Sequence, residues 1–546
     1  MRPNGGSNEW FKGAFILTIG ALLTKILSAG YRVPFQNIVG DIGFYIYQQV
    51  YPFYGLALVL STYGFPVIIS KHFTELRERN QFEKAYRFLT LSFFILSIIG
   101  IVTFLFLYFG SLWLAGLMGD PKLAILFKVI SVVFLIFPIL SVLRGYFQGM
   151  GNMVPTAFSQ VGEQLFRVAT ILTVAILFTK EGLSLYVIGA GAAFGSISGG
   201  LVAISFLVFF FLKEHKNKNE WSNVWSRKLL LDLGKVSKLL MLQGFAVCIS
   251  GMVFIFMQLG DSLNMVPLLV QTGVDPERAM QLKGIFDRGQ PLIQLGTIVG
   301  TSMSLSLVPI ISSVRIKEDG YQLREKIRFA IKISLIIGAA ATVGLFAIIH
   351  QTNEMLYENQ KGSMVLATLT PVIFFSSIHL TVISILQGLG VIYSPAIIIV
   401  VTFVIKYGLN LLLIPSLGPV GAALATSISI GIGLLFLWWR LWQKVRWPLL
   451  SRSFVGKLTL ATLILFIVLK IYLFATQPIY QLMDSHRLVA AFQAVSGVAI
   501  GGIIYLMVIM RSNLLHVEEL ALLPFGSKLM YLLPKERKSK RYEKKD

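Results

Sequence analysis

Long apolar runs, each closed by a short polar stretch, recur from one end of the chain to the other. Runs near 20 residues match the hydrocarbon thickness of a bilayer when coiled as helices. The pattern predicts spans near 11–31, 44–70, 87–110, 123–148, 153–179, 184–212, 238–260, 283–312, 329–350, 363–388, 394–415, 419–439, 453–475 and 488–510. Membrane barrel strands would alternate apolar and polar positions over about ten residues, and these runs do not. The first run carries Lys25 and lacks a small-residue cleavage pattern, so it reads as a retained helix and not a signal peptide. The fold class expected is an all-α polytopic membrane protein of about fourteen transmembrane helices.

Composition agrees with the pattern. Of 546 residues, 55% are hydrophobic and 14% charged, and the mean hydropathy is +0.74. A soluble enzyme, a disordered chain and a disulfide scaffold are excluded. The single cysteine, Cys248, and six histidines without ligand spacing give no metal set, and no cofactor is expected.

The charge, +22 from 48 Lys+Arg against 26 Asp+Glu, changes the picture only through its placement. Lys71, Arg77, Arg79, Lys84 and Arg87 follow the second span; Lys213, Lys216, Lys218, Arg227, Lys228 and Lys235 follow the sixth; Arg315, Lys317, Arg324, Lys326 and Arg328 follow the eighth. After the third, fifth, seventh, ninth and thirteenth spans only Lys122, Lys180, Arg278, Lys361 and Arg487 occur. By the positive-inside rule the even-numbered loops and both termini are cytoplasmic, and the basic excess needs no nucleic-acid partner. The tail over 512–546 reads as a basic cytoplasmic segment near anionic lipid.

The chain also repeats itself. Gln148-Gly149-Met150-Gly151 with Pro155 recurs as Gln387-Gly388-Leu389-Gly390 with Pro395, Gly191-Ala192-Ala193 as Gly421-Ala422-Ala423, and Gly64-Phe65-Pro66 with its apolar run as Leu307-Val308-Pro309. Similar offsets in one order predict a duplicated six-helix unit. The expected organisation is an N-lobe over 1–212, a linker over 213–237, a C-lobe over 238–446 and a two-helix appendix over 447–511, the lobes related by pseudo-symmetry as in transporters. Gly189, Gly191 and Gly195 mimic a dinucleotide fingerprint, but without a preceding strand they read as helix-packing glycines.

Ionisable residues inside spans are unfavourable and usually face a cavity or a partner. Lys25 and Arg32 lie two turns apart on the first helix, and Lys406 and Asn410 one turn apart on the eleventh. Glu163 and Arg167 are spaced to form their own ion pair, and Asp287 and Arg288 are adjacent on the eighth span. Lys25, Arg288 and Lys406 have no cancelling neighbour on their own helix face and read as cavity-lining. Arg144 reads as a topology charge, and Lys128 and Lys470 as snorkelling side chains. The cationic balance favours an anion, with Arg holding phosphate bidentately and Lys as a point charge. A drug/proton antiporter would place acidic residues there instead.

Thr24-Lys25-Ile26-Leu27, Tyr31-Arg32-Val33-Pro34, the Gln-Gly-x-Gly turns and Phe286-Asp287-Arg288 together resemble the multidrug/oligosaccharidyl-lipid/polysaccharide (MOP) flippase superfamily. The resemblance is to its polysaccharide-transporter branch of SpoVB-, YabM- and YtgP-like proteins, with MurJ-like proteins as relatives. It implies a two-lobed, non-enzymatic flippase of undecaprenyl-pyrophosphate-linked oligosaccharide, peptidoglycan precursor foremost, in the bacterial cell membrane. Lys25 matches a basic position of MurJ-like proteins, Arg32 falls one residue off the next, and Asp287-Arg288 match on helix 8. In helix 2 Gln48, Gln49 and Tyr51 stand where those relatives are basic. The expected binding set is Lys25, Arg32, Arg167, Arg288 and Lys406, supported by Glu163, Asp287 and Asn410. A coupling cation or the membrane potential would drive transport, with membrane lipids around the helices. The alternatives are a cation-coupled multidrug exporter of the same fold and a membrane-embedded glycosyltransferase or polymerase. The latter would draw on an outer loop over 261–282 that carries Asp261, Asp275 and Glu277.

Overall fold

The computed structural model describes residues 6–214, 228–298, 311, 320–479, 485–515 and 519. Among these residues every regular element is helical, as required of a chain that must satisfy its backbone inside lipid. Among the described residues twelve helices are long and apolar enough to cross a membrane. Two of the twelve, Ile19–Glu78 and Tyr393–Val445, run through glycines at positive φ, Gly40 (71°) and Gly418 (56°), and fold back there. Phe35 accordingly meets Tyr47 with ring centroids 5.0 Å apart, and Lys406 Nζ reaches the Ala422 carbonyl at 2.9 Å. Each therefore covers two predicted spans. The seventh predicted span, 238–260, is interrupted near Gly251, and the eighth runs into residues outside the described set, as do the tail beyond 519 and the Leu307-Val308-Pro309 copy of the repeat. The count of fourteen is thus not fixed by the described residues.

The chain divides into two compact units, residues 1–298 with 390–437, and residues 299–389 with 438–546. The first unit contains α1 (Gly6–Gly30), α2 (Arg32–Val59), α3 (Phe65–Glu78), α4 (Phe82–Phe109), α5 (Ser111–Leu117), α6 (Ala124–Ser131), α7 (Val133–Gly149), α8 (Val154–Lys180) and α9 (Leu185–Glu214). It continues through α10 (Lys228–Leu239), α11 (Phe245–Ser250), α12 (Val253–Gln271), α13 (Pro276–Asp287), α14 (Gly289–Gly296) and most of α19 (Tyr393–Val445). The second contains α15 (Gly320–Ala347), α16 (Ile349–Tyr357), α17 (Ser363–Leu369), α18 (Pro371–Gly388), the end of α19, α20 (Arg452–Thr476) and α21 (His486–Arg511). In this second unit small residues bring α15 and α18 together: a Cβ on Gly338 would sit 3.3 Å from that of Ser377, and Ser334 Oγ donates to the Ser377 carbonyl at 2.7 Å.

In the first unit the glycine run of α9 packs on α8. A Cβ on Gly195 would lie 3.0 Å from the Arg167 carbonyl, and one on Gly199 would lie 2.5 Å from the Glu163 carbonyl and 3.1 Å from Arg167 Cβ. The glycines let the backbones of α8 and α9 approach, and so fix the height and rotation of the charged α8. Both Gln-Gly-x-Gly turns end their helices with a glycine in the left-handed region, Gly151 at φ 80° and Gly390 at φ 79°, the conformation glycine adopts without strain.

Between α5 and α6, Asp120 is 2% exposed. It accepts hydrogen bonds from the Tyr186 hydroxyl at 2.8 Å, the Tyr45 hydroxyl at 3.4 Å and the Lys122 backbone N–H at 3.2 Å, tying this turn to α2 and α9. Burial raises the Asp120 pKa above its ordinary 3.8, and these hydrogen bonds oppose the shift without cancelling it. The folded chain therefore holds this proton more tightly than the unfolded one. Stability falls as pH rises through the folded pKa, and is regained as pH drops toward the unfolded value. Asp120→Asn keeps an acceptor for the tyrosines and is expected to melt higher than the parent at neutral pH, with the difference vanishing near pH 4; melting curves in detergent across that range check it. Gly199→Val should lower stability by about 1–3 kcal/mol, the usual effect of overpacking, read from the same melting assay.

Candidate functional site

The interior of the first unit places nearly every charge where a helix contact brings it a partner. Arg144 of α7, read from sequence as a topology charge, is fully buried. It donates to Glu163 Oε2 at 2.6 Å, Thr62 Oγ1 at 2.9 Å, Ser159 Oγ at 3.1 Å and the Ser61 carbonyl at 3.2 Å. Glu163 is therefore committed to Arg144 across the α7–α8 contact, and the pair expected between Glu163 and Arg167 along α8 is not formed. The i,i+4 spacing permits an ion pair, but tertiary packing offers a better acceptor for Arg144 and a different environment for Arg167.

Arg288 and Lys406, read as uncancelled on their own helix faces, are both paired by other helices. Arg288 donates to Asp41 Oδ1 through Nε at 3.0 Å and Nη2 at 2.6 Å. Gly284, one turn earlier on α13, packs directly against the Asp41 carbonyl, and its missing side chain is what lets Arg288 come this close. Lys406 Nζ lies 2.6 Å from Asp261 Oδ1 and 2.8 Å from Asn410 Oδ1. Asn410 in turn donates to Asp261 at 3.0 Å and Asn264 at 2.8 Å. Asp261 belongs to α12 and not to an outer loop. Asp287 accepts from Lys283 Nζ at 2.6 and 2.7 Å, an i,i+4 pair within α13.

Three basic side chains are left over. Arg167 of α8 is fully buried and meets no carboxylate among the described residues. Its Nη2 donates to the hydroxyls of Tyr47 at 2.8 Å and Tyr31 at 3.1 Å, its Nη1 reaches Gln164 Oε1 at 3.4 Å, and its guanidinium lies 4.0 Å from the Tyr54 ring centroid. Arg32 is also fully buried; none of its three guanidinium nitrogens has a well-aligned hydrogen-bond partner among the described residues, and its charge lies 4.4 Å from the Tyr51 ring centroid. Arg167 lies 5.5 Å from that same centroid, so the two guanidinium carbons are within about 10 Å of each other. Lys25 is half-buried two turns before Arg32, a rise of about 10 Å, and has no partner among the described residues. The backbone joins the two through Tyr31 with helical hydrogen bonds on either side, so α1 runs on into α2 as far as Gly40.

The tyrosines were not singled out as a set by sequence reasoning, although Tyr47, Tyr51 and Tyr54 at i, i+4 and i+7 were a legible stripe on one face of α2. They supply π-faces worth about 2 kcal/mol or more to a desolvated cation, which offsets only part of the cost of burying one. Unsatisfied polar atoms gather on the same helices: all three Arg32 nitrogens, Arg167 Nε, Gln164 Nε2, Tyr54 Oη and the amide oxygens of Gln36, Gln48 and Gln49. Of these atoms the guanidinium nitrogens, Gln164 Nε2 and the Tyr54 hydroxyl can donate to an anion, whereas the three amide oxygens are acceptors. No group of three or more His, Cys, Asp or Glu suited to hold a metal occurs among the described residues.

The family described as "Polysaccharide biosynthesis protein" matches residues 10–315. Over 534 residues the chain is 41% identical to "Uncharacterized membrane protein YabM" of Bacillus subtilis (strain 168), covering 96% of this chain and 97% of that one. The chain belongs to this polysaccharide biosynthesis protein family. It is also 25% identical over 526 residues to the "Lipid II flippase MurJ" of the same organism, covering 92% and 95% of the two chains. The family fold is that of the solved lipid II flippase MurJ in an inward closed conformation, with a TM-score of 0.66 at 18% identity over 90% of this chain and 98% of that one. A multidrug resistance MATE family transporter of the MOP superfamily shares it at a TM-score of 0.59 and 16% identity, over 79% and 95%. This member of the polysaccharide biosynthesis protein family is thus a multi-pass membrane protein of the MOP fold.

The Arg144–Glu163 pair gives a direct test of how the charges are held. Arg144→Met alone should cost about 3–5 kcal/mol because Glu163 is left buried and unpaired, whereas Arg144→Met with Glu163→Leu should recover most of that loss. Thermal unfolding of the two variants in detergent distinguishes them.

Proposed function

We propose that the protein is a flippase, and not an enzyme, that carries a polyprenyl-pyrophosphate-linked oligosaccharide from the cytoplasmic to the outer leaflet of the bacterial cell membrane. Peptidoglycan precursor or a related cell-wall intermediate is the substrate class. The observation that carries it is the cluster of Lys25, Arg32 and Arg167, three interior cations without a carboxylate among the described residues. A pyrophosphate supplies the missing negative charge, and its several oxygens accept from two guanidinium groups at once. The relationship to a lipid II flippase supports the same substrate chemistry.

Paired charges take a different part. Arg288 and Lys406 are occupied by Asp41 and Asp261, so in this reading they shape the surroundings of the anion and do not hold it in this conformation. The interior carboxylates Asp41, Glu163, Asp261 and Asp287 each serve a basic partner, which supports a binding role over acid–base catalysis. Two six-helix lobes, over 1–212 and 238–446, would alternate access with both termini cytoplasmic, and the helices over 447–511 would stand outside the pair. The substrate moves because its affinity for the site differs between the two states, with an ion gradient or the membrane potential supplying direction.

In proteoliposomes with labelled undecaprenyl-pyrophosphate-linked sugar, Arg32→Ala and Arg167→Ala should each slow flipping at least about ten-fold, the effect of losing a hydrogen bond to a charged group. Insertion should be unchanged, and Lys25→Arg should be milder than Lys25→Ala because the charge survives. Parental rates in both arginine variants would remove the cluster from the site. Efflux of cationic drugs without precursor flipping would assign the fold to multidrug export instead.

A further inference from the structure

The second compact unit contains a cavity of about 510 Å³, set where α15 gives way to α16 beside the end of α20 and the start of α21. Lys470, Gln477, Gln493 and His350 line it together with Leu473 and Phe474. No carboxylate is among the described residues that line it.

Two of these side chains have unused hydrogen-bonding capacity of opposite kinds. Gln493 is 1% exposed. Its amide nitrogen donates to the Thr476 hydroxyl at 2.9 Å and the Thr476 carbonyl at 3.2 Å, which fixes the amide, while its Oε1 receives no donor. A buried acceptor in that state is unfavourable until a donor reaches it. Lys470 donates to the Ala347 carbonyl at 3.2 Å; an ammonium has three N–H groups, so two remain for an anion. Lys470 lies six residues before the end of α20 at Thr476, about 9 Å along the axis, close enough to the helix end for its flexible side chain to carry the ammonium toward it. Beside it Phe474, 79% exposed, presents an apolar face suited to acyl chains.

We propose that this cavity binds the headgroup of a membrane phospholipid in which a phosphodiester carries free hydroxyls, as in phosphatidylglycerol. The phosphate takes the spare N–H groups of Lys470, the buried Gln493 side chain turns toward the cavity so that its Oε1 accepts from a headgroup hydroxyl, and the acyl chains lie along Leu473 and Phe474. A choline headgroup satisfies the lysine and leaves Gln493 Oε1 without a donor. The site is separate from the cationic cluster of α1, α2 and α8, and does not depend on what that cluster transports.

The test uses the full chain, purified in detergent, stripped of phospholipid and titrated separately with phosphatidylglycerol and phosphatidylcholine, with bound lipid counted by native mass spectrometry and folding followed by melting. Phosphatidylglycerol should be retained in preference to phosphatidylcholine. Lys470→Ala should weaken its retention about ten-fold, the factor of one charge-assisted contact, and Lys470→Arg should keep most of it. Gln493→Leu should reduce the preference between the two lipids. Equal retention of both lipids by the parent, or equal phosphatidylglycerol retention by the parent and a folded Lys470→Ala, overturns the proposal.

Discussion

A charge held inside a membrane protein must be neutralised or given a function, and the first compact unit of this chain is arranged around that constraint. Four carboxylates among the described residues are matched to a base on another helix or one turn away: Asp41 to Arg288, Glu163 to Arg144, Asp261 to Lys406 and Asp287 to Lys283; the buried Asp120 is held by tyrosine hydroxyls and a backbone N–H instead. Such pairs add little net stability over an apolar core, yet losing one partner is costly. They therefore specify which helices meet and at what rotation. Asp41 and Arg288 are the plainest case, joining residues 247 positions apart through a contact that only glycine at position 284 allows.

Against that background the unmatched cations stand out. Arg32 and Arg167 both lie against the Tyr51 ring and Lys25 lies two turns from Arg32. Tyrosine rings and hydroxyls keep the two arginines tolerable inside the protein without neutralising them. In the proposed function a carboxylate in their place would close the site permanently, whereas an aromatic surround leaves a position that an anion can enter and leave. Reversible occupancy is what a carrier requires, because binding that is too complete in one state prevents release in the other.

The glycine run on α9 supports the same arrangement from behind. It fixes α8 at the carbonyls of Glu163 and Arg167, so that one helix presents its glutamate to Arg144 and its arginine to the tyrosines. A helix turn between them, and not any difference in local sequence chemistry, separates the structural ion pair from the cation held by tyrosines.

The membrane class, the positions of most spans and the surplus of interior positive charge were all legible in the sequence, because apolar length and charge placement are properties of the chain that packing does not alter. The small-residue role of Gly191 and Gly195 was legible for the same reason, as was the first-helix pair Lys25 and Arg32. Only the tertiary structure decided which charges are spent on one another. Glu163 lies one turn from Arg167 in sequence yet pairs with Arg144, and Arg288 and Lys406 looked free because their partners, Asp41 and Asp261, come from distant segments. Helical spacing reports neighbours on one helix. In a bundle the strongest electrostatic partner is usually on the next helix, and that is set by how the helices pack.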